Sequence, residues 1–191
     1  MKHIDKLNKL GACNEAVEWA KEMKNGQAAW DNCERGDWML WLAGKTAGKP
    51  KSVKRKKLVL CACECARLAL KYVPKGEDRP LKCIETAEAW ARGEASYDDL
   101  VEARRATAAY AYASAYASAA SFASSASFAS YASYAASYAA YEAASYAAYA
   151  AYEAASYAAY EAADDAYVTK TLKECADIVR KHYPKVPMVK L

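Results

Sequence analysis

Residues 141–163 read YEAASYAAYAAYEAASYAAYEAA, a repeat with a step of eleven in which Tyr141 returns as Tyr152, Tyr149 as Tyr160, and the pair Glu142/Ser145 as Glu153/Ser156. The stretch holds no Gly, Pro or basic residue. Residues 106–163 are half alanine, 29 of 58, and alanine is the best helix former. Tertiary help is therefore needed less here than in most helices. Eleven residues over three turns is about 3.67 per turn, which predicts a nearly straight helix with slight right-handed supercoiling if it pairs. At about 1.5 Å per residue the segment as one rod would be roughly 87 Å long, so it is expected to project from a core or fold back as a hairpin. The weakest point for such a bend is Ser124-Ser125, because serine competes for the backbone.

At about 100° per residue, Tyr131, Tyr134, Tyr138, Tyr141, Tyr149, Tyr152 and Tyr160 gather on one face, with alanine opposite. Exposing both stripes would leave more apolar surface than a monomer ordinarily shows. These tyrosines are therefore expected to be buried, within the chain or between copies, making the segment an oligomerisation arm of a homo-oligomer.

Outside the repeat, every periodic stretch is helical and none alternates as a strand would. The reading places helices at Asn14 to Lys24, at Gln27 to Glu34, after Asp37 as N-cap, and from Ser52 to Val73. Asp78 is expected to cap a helix with Pro80 in its first turn that stops at Gly93. Ser96 then caps a helix opening on Asp98 and Asp99, where the helix dipole favours carboxylates. From there to Tyr183 no Gly or Pro intervenes. The fold class expected is all-α: a helical bundle over 1–105, a low-complexity Ala/Tyr/Ser-rich segment over 106–165, and a closing helix and tail over 166–191 that pack back on the bundle.

Charge and cysteine content narrow the function classes. The net charge of +4 conceals an uneven distribution, 21 Lys/Arg against 16 Asp/Glu over 1–105 and three Glu with no base over 106–163. The run KPKSVKRKK from Lys49 to Lys57 reads as the solvated opening of a helix rather than a nucleic-acid site. No apolar run of eighteen residues and no signal-peptide h-region appears, so a cytoplasmic protein without a membrane partner is expected. Seven cysteines, an odd number without a Cys-x-x-Cys pair, read as buried thiols in a reducing compartment. Cys61 and Cys65 share a helical face, but with only His3 and His182 to add, a metal site has little to draw on. No cofactor or metal is expected.

Enzymatic chemistry is disfavoured by the same inventory. The histidines sit in a leading arm and in the last helix, away from any obvious nucleophile. Asp37, Glu77, Asp78 and Glu85 could form an acid–base pair, yet Asp37 and Asp78 are expected to serve as caps, and arginines offer ion pairs. No glycine-rich phosphate loop is present.

The segments AWDNCERGDWMLWLA, from Ala29, and YVPKGEDRPLKCIETAEAWARGEAS, from Tyr72, together with LVLCACECARLAL and CADIVRKHYP, resemble a family of immunity proteins with an immunity-protein-five-like helical domain, found in bacteria and phages. The resemblance covers about residues 12–105 and 170–184. It implies a helical domain that binds and neutralises a protein toxin or defence effector, with 106–165 as an expandable insert. The binding residues expected are Trp30, Asp37, Trp38, Trp41, Arg67, Glu77, Arg79, Trp90, Arg104 and Arg105. The alternative is a phage-type anti-defence protein that sequesters a small nucleotide signal by aromatic stacking and arginine contacts to phosphate. Direct protein binding calls for an exposed aromatic patch with a polar rim, whereas sequestration calls for a closed, aromatic-walled pocket with basic groups.

Overall fold

A computed structural model describes residues 3–49, 52–68, 70, 73, 75–103, 105–106 and 165–187. The expected bend at Ser124-Ser125, the Tyr131–Tyr160 stripe and its role in self-association lie outside the described residues. The described part is all helical: α1 (His3–Leu10), α2 (Asn14–Lys21), α3 (Gly26–Asn32), α4 (Gly36–Lys45), α5 (Val53–Arg67), α6 (Arg79–Arg92), α7 (97–103) and α8 (Asp165–His182). No helix among the described residues is long and apolar enough to cross a membrane.

The organising element is α5, because its sequence LVLCACECA is apolar on nearly every side, the pattern of a helix buried all round. Val59, Ala62, Cys63 and Ala66 meet Ile84, Ala87, Trp90 and Ala91 of α6 and Leu100 of α7 in one core. Leu58, Cys61 and Cys65, one turn apart on the other side, meet Trp30, Met39, Leu40, Ala43, Cys175, Ala176 and Val179 in a second. One helix therefore joins two half-cores, and α8 closes the second by lying against α4 and α5.

The polar position inside that apolar run is Glu64. It accepts hydrogen bonds from Lys181 Nζ at 2.8 Å and His182 Nε2 at 2.7 Å, tying the end of α8 to α5. Those hydrogen bonds, Lys181 first, hold the Glu64 carboxyl below its ordinary value of 4.5 against the opposing effect of partial burial. A depressed carboxyl stabilises the fold fully above its unfolded value and loses that contribution as the pH falls through the folded one. Glu64→Gln is thus expected to flatten the acid-side decline in melting temperature that sets in as the pH falls below about 5. An unchanged decline would show that the closure does not depend on this carboxylate.

Helix ends follow local chemistry. Ser52 Oγ accepts from the Arg55 N–H at 3.2 Å, as the sequence suggests. Ser96 Oγ accepts from the Asp99 N–H at 3.1 Å while Asp99 Oδ2 accepts from the Ser96 N–H at 2.8 Å, a reciprocal capping box. Ser96→Ala is expected to cost about 1 kcal/mol, read as a lower melting temperature with unchanged helicity. Gly93 ends α6 at φ 90°, with the Glu94 N–H on the Ala89 carbonyl at 2.8 Å. This left-handed residue makes the turn that carries the chain into α7.

Several boundary expectations are corrected. The leading arm is a helix, α1, whose Leu7 and Leu10 supply the apolar spacing. The α2 helix stops at Lys21, and Asn14 lies inside it behind Cys13 at the cap position. The α3 helix begins at Gly26 with Asn25 as cap, its side chain accepting from the Ala28 N–H at 2.9 Å, and ends at Asn32 rather than Glu34. Asp37 does not cap α4: Arg35 holds that position, and Asp37 lies in the first turn, ion-paired to it. The helix from Ser52 stops at Arg67. Asp78 stands at the start of α6 but caps nothing; it pairs with Lys82 at 2.7 Å, and Glu77 Oε1 accepts the Arg79 N–H at 3.0 Å instead.

Candidate functional site

Two amphipathic elements leave a space between them. The short α1 buries none of its residues fully and packs on α2, turning Leu7 and Leu10 toward α4. From α4 the side chains of Trp38, Met39, Trp41 and Leu42 face back, and Trp19 of α2 and Trp30 of α3 complete the walls. The result is a cleft of about 760 Å³, within the usual range for small-molecule sites. Val186 and Pro187, past the end of α8, also line it. Gln27 fixes this tail by donating to the Pro184 carbonyl at 3.3 Å and accepting from the Val186 N–H at 2.9 Å.

The tryptophans are held in place by charges. Trp19 and Trp38 lie with ring centroids 6.0 Å apart and planes tilted by 58°. The Arg35 guanidinium lies 4.3 Å over the Trp38 ring. It donates Nε to Asp37 Oδ1 at 3.0 Å, Nη2 to Asp37 Oδ2 at 2.7 Å and Nη1 to Glu15 Oε1 at 3.0 Å. Burial works against the Arg35 charge, but the hydrogen bonds and charge of Asp37, with Glu15, more than offset it and raise its pKa. Arg35 is therefore a fixed strut under Trp38 and not a free anion receptor. Lys45 Nζ lies 5.1 Å over Trp41.

The polar residues of the wall divide cleanly. His3 Nε2 is 3.0 Å from the Ala20 carbonyl and pins the start of α1. Asn25 caps α3, and Gln27 holds the tail and Asp31. Lys6 and Lys24 also line the cleft, and neither takes part in an ion pair among the described residues. Among the described residues, none of those that line it is acidic. Its thiol, Cys33, is pushed up to about 11 chiefly by burial, so it stays protonated and a poor nucleophile at neutral pH.

Of the residues singled out from sequence, Trp30, Trp38 and Trp41 come together here, with Asp37 directly behind them. Trp30 is 3% exposed and donates Nε1–H to the Tyr183 carbonyl at 2.7 Å, so it is mainly a strut. The others lie on the α5–α6 side. Arg67 forks onto Glu88 at 3.0 and 2.9 Å. Arg79 pairs with Glu77. Trp90 is buried in the α5–α6–α7 core with Lys56 Nζ 6.0 Å over its ring. Arg105 is exposed, and the Arg104 side chain lies outside the described residues. Sequence reasoning missed Trp19, Arg35 and the α1 wall; the one available signal was Trp19 three residues after Ala16 on the apolar face of α2.

No group of three or more His, Cys, Asp or Glu able to hold a metal occurs among the described residues. Cys61, Cys65 and Cys175 meet inside the second core, and Cys65 is pushed well above the ordinary thiol value by its thiol neighbours Cys175 and Cys61 and by burial. Comparison with protein-family models, with curated proteins and with solved structures gave no match for this chain in any of the three.

Proposed function

We propose that this chain is a non-enzymatic binding protein that captures a small, largely apolar ligand in the tryptophan cleft. The observation that carries the reading is the inward convergence of Trp19, Trp30, Trp38 and Trp41 on one space. A protein that covers its target directly would be expected to present aromatic side chains outward. Among the described residues the exposed large hydrophobic is Val53, at 83%, and it is isolated, which is ordinary for a surface.

Sequestration thus fits better than direct coverage of a toxin or effector, and an immunity-type role would be exercised by removing a small molecule from circulation. A polyphosphate nucleotide fits poorly. The arginines expected to hold its phosphates, Arg67 and Arg79, are paired with Glu88 and Glu77 away from the cleft, and Arg35 is tied to Asp37 and Glu15.

Titration of the full chain with the neutral probe 1-decanol is expected to shift tryptophan emission saturably. Trp41→Ala is expected to weaken that binding by about tenfold, the worth of roughly 50 Å² of apolar contact. Unchanged emission, or equal affinity in Trp41→Ala, would remove the cleft from consideration.

A further inference from the structure

We infer that the ligand of the cleft is an amphiphilic anion: a flexible apolar chain ending in a single carboxylate, of the fatty-acid class. This rests on the reading of the cleft as a capture site and adds the charge and shape of what is captured. The wall is built from conformable apolar groups, Leu7, Leu10, Met39 and Leu42, between indole faces. Such a lining rewards length and demands little directional bonding.

Most polar groups of the wall already have partners. His3, Asn25 and Gln27 are engaged in holding α1, α3 and the tail. Of the acids near it, Glu15 pairs with Arg35, Glu18 with Lys21 and Asp31 with Gln27, while Asp5 and Glu22 are exposed and are not among the lining residues. Lys6 on α1 and Lys24 after α2 remain, both on the wall and in no ion pair among the described residues, with no carboxylate among the described lining residues. A cavity whose described lining is apolar but for two ammonium groups outside any ion pair is complementary to a body with one anionic end and repels a cationic one. Flexible ammonium groups suit a carboxylate at a water-facing end without the planar fork that Arg would impose. Lysine suits such a rim, because its stem packs on apolar surface while its charged head stays in water.

The test is calorimetry on the full chain with octanoate, decanoate and dodecanoate below their aggregation concentrations, beside 1-decanol, decylammonium and adenosine monophosphate. Affinity is expected to rise about fourfold for each methylene added. Decanoate should exceed decanol, and decylammonium should be the weakest of the ten-carbon probes. The double variant Lys6→Gln/Lys24→Gln, which removes both charges and keeps most of each stem, is expected to lose up to about tenfold in decanoate affinity and far less in decanol affinity. Equal affinity for decanoate, decanol and decylammonium would overturn the assignment of an anion while leaving the cleft as an apolar capture site. Adenosine monophosphate binding more tightly than dodecanoate would overturn the chain-like ligand. Failure of every probe, decanol included, would overturn the capture reading itself.

Discussion

Gly36→Ala is expected to destabilise the protein by about 3 kcal/mol, at the upper end of what overpacking costs. By helix propensity alone the change should gain up to about 1 kcal/mol, so its sign is decided by space. A Cβ on Gly36 would meet Cys175 Cβ, Ala176 N at 2.8 Å and Cys175 C at 2.9 Å. These are atoms of the α8 backbone and its first side-chain atom, which cannot rotate aside. The α8 helix must lift from α4, loosening the contacts of Cys175, Ala176 and Val179 with Met39 and Leu40 together. Thermal unfolding should show a fall of roughly 6–12 °C for a chain of this size. A melting temperature equal to or above that of the unmodified protein would show that the two helices do not cross this closely.

Trp30→Ala is expected to cost about 3–5 kcal/mol, and Trp30→Phe about 1 kcal/mol. The difference separates two contributions. Trp30 fills the α3–α4–α8 core at 3% exposure, and its indole N–H is satisfied by the Tyr183 carbonyl just past α8. Phenylalanine retains most of the packing and gives up the hydrogen bond. Arg180 reinforces the same junction, donating Nη1 to the Cys33 carbonyl at 2.6 Å. Because Trp30 serves the fold first, Trp30→Phe should keep most of its affinity for apolar probes while unfolding at lower denaturant. Loss of binding with unchanged stability would mark Trp30 as a recognition residue instead.

The helical class and most helix starts were legible in the sequence because they depend on neighbours within four residues. Ser52, Ser96 and Gly93 act as the chain reading expects, each through a bond to backbone one turn away. A glycine between two helices ordinarily marks a stop, whereas Gly36 is the first residue of α4 and a point where α8 presses close. That role depends on Cys175, 139 positions along the chain, which no local rule reports. Asp37 has the residue type of a cap, but the guanidinium of Arg35 on one side and burial on the other give it a stronger partner than a backbone N–H. The cleft was half legible. Trp38 and Trp41 stand one helical turn apart and Trp30 lies on the short helix just before them, which implies a shared neighbourhood, but the space itself also depends on where α1 lies, and nothing in HIDKLNKL states that. Arg67, Arg79 and Trp90 were grouped with the tryptophans by residue type, and α5, lying between the two cores, keeps them apart.

The order in which the chain is made has a bearing on how it reaches this fold. Everything that α8 covers, including Met39, Leu40, Leu58 and Cys61, is synthesised before residue 103, while the covering helix is complete only at His182, 79 residues later. At a translation rate of about 5–20 residues per second, that face of the nascent bundle stays without its cover for roughly 4–16 s. The α5–α6–α7 core has all its parts by Leu100 and can assemble on the ribosome. The half that holds the tryptophan cleft cannot close until α8 has been made, so premature termination inside residues 107–164 would release a chain with one finished core and one sticky one. Such a product is a substrate for chaperones and proteases rather than a smaller working version of the protein.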